Sequence, residues 1–330
     1  MRNFISFATM PIFIAFNPTA GEIQVDIKTL SALGVRNLIL RENGEIIDAW
    51  QQEAERYFNQ YSVAKSFTAI ACLQAVENGV WDLQTNVYDL VKDILLQTKI
   101  PEFSKRLQAA ALEKPQADIP ESLALRQLTV HDLLSMQSGF AEAHMFSEER
   151  EQLRQKKCFN WLDYCLHLPF AQSPGTAFLY TNAAYYLAAV LLQVQLQQRL
   201  SRQIQAVFQA VGVEKVKWLQ DPSGYEFGAS DLFLTTAQLS SWGEILRKND
   251  GSLLTRNAIK RATCEKQVDI SATTAYGYGF RIYADGTYSA DGKHGQYLLV
   301  NPKKARTLAV NSESTATRPL KKYLYELITT

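Results

Sequence analysis

Segments with the alternation of β-strands lie near both ends of this chain, whereas helical patterns fill its middle. Apolar and polar side chains alternate over residues 35–41, Asn43-Gly44 supplies a hairpin turn, and residues 45–50 return as a second strand. Further strands are predicted at 276–283, 287–290, 297–300 and 307–311, before a closing helix at 319–328. The sequence therefore predicts an α+β fold, in which an antiparallel sheet built from both ends of the chain is flanked by helices and carries an inserted all-helical domain.

The middle of the chain is predicted to form a series of helices. One helix begins at Ser62 and ends at Asn78-Gly79, and Thr129 with Asp132 forms a capping box at the start of another. Residues 185–200 are strongly apolar, which is typical of a helix at the centre of a helical domain. These patterns predict a sheet domain and a helical domain, with bounds of 1–61 plus 225–330 for the first and 62–224 for the second.

Composition restricts the classes of function. The 330 residues are 47% hydrophobic and 20% charged, which favours a folded chain with a sizeable core over a disordered one. Lys and Arg number 34 against 33 Asp and Glu, so there is no basic excess for binding nucleic acid. The His and Cys residues lack the spacing of a zinc site, and no glycine-rich phosphate-binding loop is present. We therefore expect no metal, no organic cofactor and no nucleic-acid partner.

The N-terminal segment bears on localisation. Residues 4–16 are mostly apolar, but a bilayer span takes about 20 such residues, so no membrane span is predicted. A small residue follows the apolar run, as in a cleaved export signal, whereas Pro11 interrupts the run. A retained segment in a cytoplasmic protein is the preferred interpretation, and export is the alternative.

A candidate nucleophile lies at the start of the first helix. In Ser62-Val63-Ala64-Lys65 the spacing of three places the lysine amine beside the serine hydroxyl on one helix face. A serine hydroxyl needs a neighbouring base to become a nucleophile, and an amine can be that base when burial or nearby cations lower its pKa. Because the pattern occurs by chance about once in a chain of this length, it indicates a site only together with other motifs.

A second candidate motif is Tyr180-Thr181-Asn182, which follows Pro174-Gly175-Thr176 and precedes the apolar helix. The phenol of Tyr180 can transfer protons, and the amide of Asn182 can orient the lysine and a substrate carbonyl. The same pattern at Tyr57-Phe58-Asn59 is set aside, because it lies in the short segment that leads into Ser62. A purely packing role for Tyr180 is the alternative.

Together with three further segments, these motifs resemble the class C β-lactamase-related family of penicillin-recognising serine hydrolases. The further segments are 128–139, 227–232 and 295–298, and the five blocks follow the family's order from about residue 25 to the C-terminus. The resemblance implies the β-lactamase/D,D-peptidase-like fold, with Ser62 as the acylated nucleophile. It also implies that Lys65 and Tyr180 share general acid and base duty and that Asn182 orients them. Which of Lys65 and Tyr180 takes the first proton stays open.

The third motif of that family, a basic residue and a hydroxyl before a glycine on an inner strand, is altered in this chain. Alignment on Gly295-Gln296-Tyr297 places the motif at Ala290-Asp291-Gly292, and the alternative register is Lys293-His294-Gly295. The first register is preferred. It implies an oxyanion hole formed by the backbone N–H groups of Ser62 and Lys293. Residues expected to border the substrate are Ala290, Asp291, Gly292 and His294, of which His294 is alternatively only a strand residue.

The altered motif favours one class of substrate. The family's basic residue attracts a carboxylate, whereas Ala290 removes that cation and Asp291 adds an anion, which opposes carboxylate-bearing substrates. We therefore predict a serine hydrolase that cleaves an ester or amide bond of a small, neutral molecule through an acyl-enzyme. A β-lactamase or D,D-peptidase is the alternative, because Arg281, Lys293 or His294 can compensate for the lost cation. A binding homologue without catalytic activity is the third hypothesis.

Overall fold

Eleven strands form two sheets in the computed structural model, which describes residues 25–96, 123–157 and 160–330. The larger sheet is antiparallel, with the strand order β2-β1-β11-β10-β9-β8-β7-β6, and the smaller has the order β3-β5-β4. The strands are β1 Val35–Glu42, β2 Glu45–Gln51, β3 Phe58–Asn59, β4 Lys217–Trp218, β5 Leu232–Leu234, β6 Val268–Ser271, β7 Thr274–Tyr276, β8 Arg281–Tyr283, β9 Tyr288–Gly292, β10 Gln296–Asn301 and β11 Arg306–Ser312.

Thirteen helices are present in the same described residues. Two of the four longest α-helices, α11 and α13, pack directly on the larger sheet. The other two, α2 and α8, pack against each other on its inner side. The helices are α1 Ile27–Ala32, α2 Ala64–Glu77, α3 Val87–Leu96, α4 Leu123–Gln127, α5 Val130–Leu134, α6 Ser147–Gln155, α7 Trp161–Leu166, α8 Asn182–Leu196, α9 Leu200–Gln203, α10 Gln205–Ala210, α11 Thr236–Lys248, α12 Arg256–Thr263 and α13 Thr317–Thr329.

Strands from the two ends of the chain meet in the larger sheet. The predicted Asn43-Gly44 turn joins β1 and β2, and both of its residues have the positive φ that such a turn requires. Strand β1 then pairs with β11, with Leu38 opposite Val310 and Leu40 opposite Leu308. This pairing confirms the predicted α+β fold with an antiparallel sheet and helices.

The sheet has an apolar layer on each face, because successive residues of a strand point to opposite sides. On the outer face, Leu299 of β10 and Leu308 of β11 pack with α1 and α13. On the inner face, Leu298 and Val300 join the core formed with α2, α8 and α11. The inner layer supports the start of α2, and therefore the segment in which Ser62 and Lys65 lie.

Helix α8 occupies the centre of the helical region, as its composition predicted. Residues 182–194 are all buried, which suits a helix that is apolar on every side. Its bounds differ from the predicted 185–200. The Thr181 hydroxyl accepts a hydrogen bond from Ala183 N and starts the helix earlier, and Gln197 adopts a left-handed conformation that ends it earlier.

The segment predicted as one strand at 276–283 forms two. Strands β7 and β8 are separated by residues 277–280, where Gly277 N donates to Phe280 O and Gly279 has a φ of +81°. The turn brings Gly279 against the backbone of Lys65. Strands β3 to β6 were not predicted, since each has only two to four residues, too few to show a period.

The predicted division into two domains stays a prediction. The apolar core of the inner layer continues from α2 and α8 to β10 without interruption, so the packing marks no boundary at residue 62 or 225. The interpretations of residues 1–20 as a retained segment or an export signal lie outside the described residues. Within residues 25–96, 123–157 and 160–330, no helix is both long and apolar enough to cross a membrane.

A buried carboxyl group in the helical region predicts how stability varies with pH. Asp221 accepts hydrogen bonds from the Tyr186 hydroxyl at 2.5 Å and from Tyr225 N at 2.9 Å, and burial raises its pKa to about 6. The folded state therefore favours the protonated form. The protonated Asp221 carboxyl contributes its full stabilisation at pH values below the pKa that Asp221 has in the unfolded chain. This stabilisation is lost as the pH rises through about 6, where the folded group ionises.

We expect Asp221→Asn to remove this dependence, because the amide stays neutral. Between pH 4 and pH 7 the free energy of unfolding of the variant should gain up to about 3 kcal/mol relative to the wild type. Urea unfolding at several pH values measures this difference. Asp269→Asn, at an exposed position of β6, is the control. Parallel pH profiles for Asp221→Asn and the wild type would contradict the assignment.

Candidate active site

Ser62 lies in a tight turn between β3 and α2. A single 3₁₀ turn, Tyr61–Val63, precedes the α-helix, and Tyr61 adopts a left-handed conformation with a φ of +45°. Its amide donates to the Asn59 side-chain oxygen at 2.8 Å, which fixes the turn. A strained non-glycine residue directly before a candidate nucleophile is typical of a functional site, where the surrounding contacts hold the strain.

Lys65 is buried, and its amine lies within hydrogen-bonding distance of three oxygens. Its Nζ lies 3.0 Å from Ser62 Oγ, 2.6 Å from Asn182 Oδ1 and 2.7 Å from Ala229 O. Burial lowers the pKa of Lys65 well below its usual range, and the nearby Arg150 guanidinium lowers it further, whereas Asp231 opposes both. A neutral amine beside the serine hydroxyl can accept its proton.

Tyr180 lies beside the amine of Lys65. Lys65 Nζ is 4.9 Å from the centroid of its ring, and the Tyr276 ring packs edge-on against it at 6.3 Å. Burial raises the pKa of Tyr180 to about 12, although a hydrogen bond with Ser62 and the charge of Arg281 act in the opposite direction. The phenol is therefore protonated at neutral pH and able to donate a proton.

Asn182 is the first residue of α8 and connects Lys65 to the loop before α6. Its side-chain oxygen accepts from Lys65, and its Nδ2 donates to Met145 O at 3.1 Å. Since both ends of the amide have partners, its orientation is fixed. The structure thus brings together the four side chains that the two sequence motifs contributed.

Strand β9 ends beside the turn that holds Ser62. A Cβ at Gly292 would lie 2.5 Å from Gln60 O, so only glycine allows this approach. Ala290 is buried on the inner face, and Lys293 and His294 lie in the turn that follows the strand. His294 has a φ of +61°, and its ring packs edge-on against Tyr61 at 5.4 Å.

Asp291 does not act as an isolated anion, and this part of the sequence argument was wrong. Its carboxylate pairs with Arg281 Nε at 2.9 Å and with the Lys321 amine, and it accepts from Ser289 Oγ at 2.7 Å. Burial acts to raise the pKa of Asp291, but Lys321 and Arg281 outweigh it and the pKa is lowered. Two cations offset one anion here, so repulsion of a substrate carboxylate does not follow.

The described residues contain no group of three or more His, Cys, Asp or Glu side chains arranged to hold a metal ion. Around Ser62 the structure brings together a hydroxyl, an amine, a phenol and an amide. A nucleophile, a base beside it and a group that orients the base form the arrangement that acyl transfer requires.

A family model described as Beta-lactamase matches residues 26–329, nearly the whole chain. The chain belongs to the beta-lactamase family. No curated protein matches this family member in sequence. The membership supports a hydrolase, and it confirms the resemblance that the sequence motifs indicated.

Several solved structures share the fold of this beta-lactamase-family protein. A putative 6-aminohexanoate-dimer hydrolase from Bacillus anthracis has a TM-score of 0.73 and 15% identity, with 94% of this chain and 81% of that chain covered. A penicillin-binding protein from Bacillus halodurans has a TM-score of 0.69 and 16% identity, covering 91% and 99%. EstCE1, a hydrolase with promiscuous acyltransferase activity, has a TM-score of 0.66 and 14% identity, covering 92% and 96%. At these identities the likeness shows the fold alone.

Sequence reasoning did not identify the ion pair that lies behind Lys65 in this beta-lactamase-family protein. Arg150 Nη2 is 2.8 Å from Asp231 Oδ2, and both side chains are largely buried. Asp231 falls within block 227–232, one of the segments that indicated the family resemblance. Arg150 gave none, because the surrounding segment is rich in charged and polar side chains and is typical of an exposed helix.

Proposed function

We propose that this protein is a serine hydrolase that cleaves an ester or amide bond of a small molecule through an acyl-enzyme on Ser62. The observation that carries the proposal is the contact of a buried amine with the serine hydroxyl, 3.0 Å from Lys65 Nζ to Ser62 Oγ. Burial favours the neutral form of the amine, and the phenol of Tyr180 also hydrogen-bonds the hydroxyl. Base, nucleophile and acid are thus within reach of one another.

The pKa directions assign separate roles to the two proton carriers. A buried amine with a lowered pKa is available as a base at neutral pH, so Lys65 takes the proton of Ser62 as Oγ attacks the carbonyl carbon. Tyr180, with its pKa raised to about 12, keeps its proton and gives it to the leaving group. The carbonyl oxygen, now an anion, accepts hydrogen bonds from the backbone N–H groups of Ser62 and Lys293. Water then attacks the acyl carbonyl carbon as the deprotonated Tyr180 takes its proton, and Lys65 returns its proton to Ser62 Oγ as the ester bond to the serine breaks.

Neutral esters and amides are the first substrate class in this proposal. The buried Ala290 supplies no cation within the inner face of β9, in the register that places the third motif at 290–292. Asp291, Gly292 and His294 complete the border of the cleft in this assignment. Similar folds include a protein named as a putative 6-aminohexanoate-dimer hydrolase and another named as a hydrolase with promiscuous acyltransferase activity.

A β-lactamase or D,D-peptidase is the second candidate, and one observation favours it. Arg281 and Lys321 both pair with Asp291 at the end of β9, which leaves one positive charge in excess at this rim. A carboxylate-bearing substrate would meet a net cation there rather than an anion. This candidate replaces the first if the protein reacts with penicillins faster than with neutral esters.

The test compares the wild type with Ser62→Ala. Hydrolysis of p-nitrophenyl butyrate should fall to the uncatalysed rate in the variant, because the variant lacks the hydroxyl on which the acyl-enzyme forms. Intact-mass measurements should find one fluorophosphonate adduct on the wild type and none on the variant. Ser241→Ala, at a serine of α11 away from the cleft, should behave as the wild type.

The same assay separates the hypotheses. Nitrocefin turnover, or a stable fluorescent-penicillin adduct formed faster than ester hydrolysis, would establish the second candidate. Absence of ester hydrolysis, nitrocefin turnover and both adducts in a folded wild-type protein would contradict catalysis and leave the binding homologue.

A further inference from the structure

Two adjacent residues of α6, Glu149 and Arg150, contact the segments that supply the oxygens around Lys65. Besides Ser62, those oxygens are Ala229 O and Asn182 Oδ1. The first belongs to the chain before β5 and the second to the start of α8. Each is held by a different side chain of α6, and neither side chain is part of a motif.

Arg150 fixes the segment that contains Ala229. The arginine is 5% exposed, its Nη2 lies 2.8 Å from Asp231 Oδ2, and its guanidinium carbon lies 4.3 Å from the centroid of the Phe227 ring. Asp231 has a left-handed φ of +60° and also accepts from Asn59 Nδ2 at 2.6 Å. The arginine thus holds residues on both sides of Ala229, and through Asn59 it also supports the turn before Ser62.

Glu149 fixes the segment that orients Asn182. One carboxylate oxygen accepts from His144 Nδ1 at 2.8 Å and from the Tyr164 hydroxyl at 2.5 Å, and the other accepts from Met145 N. Met145 has a left-handed φ of +67°, and its carbonyl accepts the Asn182 amide. The glutamate therefore holds a strained residue whose carbonyl determines how Asn182 faces Lys65.

We propose that Glu149 and Arg150 are positioning residues for Lys65: α6 fixes the two oxygens that, with Ser62, hold its amine, and the Arg150–Asp231 pair sets the charge behind it. The proposal rests on the proposed function, in which the amine of Lys65 is the base. Burial, then the Arg150 charge, disfavours the protonated amine, whereas Asp231 favours it. The two members of the pair should therefore act on Lys65 in opposite directions.

Other groups near Lys65 stay unchanged when the pair is altered. The titratable and charged groups that surround the amine or its neighbouring phenols are Tyr180, Tyr185, Cys72, Tyr276, Arg281 and Asp291. These groups lie on α2, on α8 or just before it, and on β7 to β9, whereas the pair lies on α6 and before β5. A substitution in the pair therefore changes one side of the environment of Lys65.

The experiment measures kcat/KM for p-nitrophenyl butyrate as a function of pH. In Arg150→Gln the acid limb should move up by about one pH unit, so that activity is roughly tenfold lower on that limb and recovers at high pH. In Asp231→Asn the limb should move down, and asparagine tolerates the left-handed backbone of this position. If the Arg150–Asp231 pair only supported the fold, both substitutions would lower activity equally at every pH.

Four further variants complete the design. Arg150→Lys keeps the charge and should return the limb towards the wild type, and Arg150→Gln combined with Asp231→Asn removes both charges and should do the same. Glu149→Gln should lower kcat by about tenfold without moving the limb, because it disturbs the Asn182 contact and leaves the Arg150–Asp231 pair intact. Arg154→Gln, one turn along α6 and partly exposed, should match the wild type.

The results that overturn the proposal are specific. Limbs that move in the same direction in Arg150→Gln and Asp231→Asn, or that move in neither, would remove the pair from the control of Lys65. If Arg150→Gln does not fold, Asp231→Asn and the double variant still decide the question. Should the wild type hydrolyse no ester, the proposed function fails, and an NMR titration of ¹³C-labelled Lys65 in the same variants tests the positioning role by itself.

Discussion

Lys65→Met is expected to lower kcat/KM for a p-nitrophenyl ester by about three orders of magnitude at neutral pH, which is within the range that one general base contributes. Methionine fills nearly the same volume but cannot accept the proton of Ser62. The fold should survive the change. Burial lowers the pKa of the lysine, so the native amine contributes unfavourably to folding at any pH where the unfolded chain protonates it. The unfolding temperature of the variant should therefore equal or exceed that of the wild type.

Steady-state kinetics and thermal unfolding on the same preparations measure the two effects. Lys248→Met, at an exposed position near the end of α11, is the matched control and should change neither quantity. A Lys65→Met protein with activity within tenfold of the wild type would exclude Lys65 as the base. Loss of activity together with a lower unfolding temperature would indicate that the lysine is structural, because the lost hydrogen bonds to Asn182 and Ala229 would then dominate.

Local spacing was enough to predict the contact between Ser62 and Lys65. A separation of three residues at the start of a helix brings two side chains together whatever the rest of the chain does. The hairpin of β1 and β2 was equally predictable, because Asn43-Gly44 provides the backbone conformation that the turn needs. Tyr180 and Asn182 were candidates from their own short motif, but only the resemblance linked that motif to Ser62, because more than a hundred residues separate the two and leave no local pattern.

The electrostatic environment could not be predicted in this way. Arg150 lies in a helix whose sequence is typical of an exposed surface, and its burial depends on Asp231, a partner 81 residues away. Arg281 was considered only as a replacement for the lost cation, because its pairing with Asp291 depends on the register of β8 and β9. Lys321, the second partner, lies 30 residues from Asp291 on α13. Charge compensation is a property of the tertiary structure, so a single charged residue in the sequence does not reveal its partner.

The turn between β7 and β8 shows why the predicted strand at 276–283 was interrupted. Gly279 combines a positive φ with a close approach to α2: a Cβ at this position would lie 2.7 Å from Lys65 O and 3.0 Å from Ala69 Cβ. The alternation of apolar residues continues through the turn and hides it. A glycine inside a strand pattern can mark such a close backbone approach.

Gly279→Ala should therefore reduce both stability and activity. Backbone strain at a positive φ and the overlap with Lys65 O each cost on the order of 1–3 kcal/mol, so we expect a loss of about 3 kcal/mol in the free energy of unfolding. Relief of the overlap requires α2 to move, which displaces Lys65 from Ser62 and should lower kcat/KM at least tenfold.

Gly79→Ala is the control: Gly79 has a φ of +69° with no atom within 4 Å of its Cβ position, so this substitution adds only the backbone strain, about 1 kcal/mol. Urea unfolding and ester kinetics measure both effects. Equal losses at the two glycines would mean that the turn does not press on the helix that carries the nucleophile.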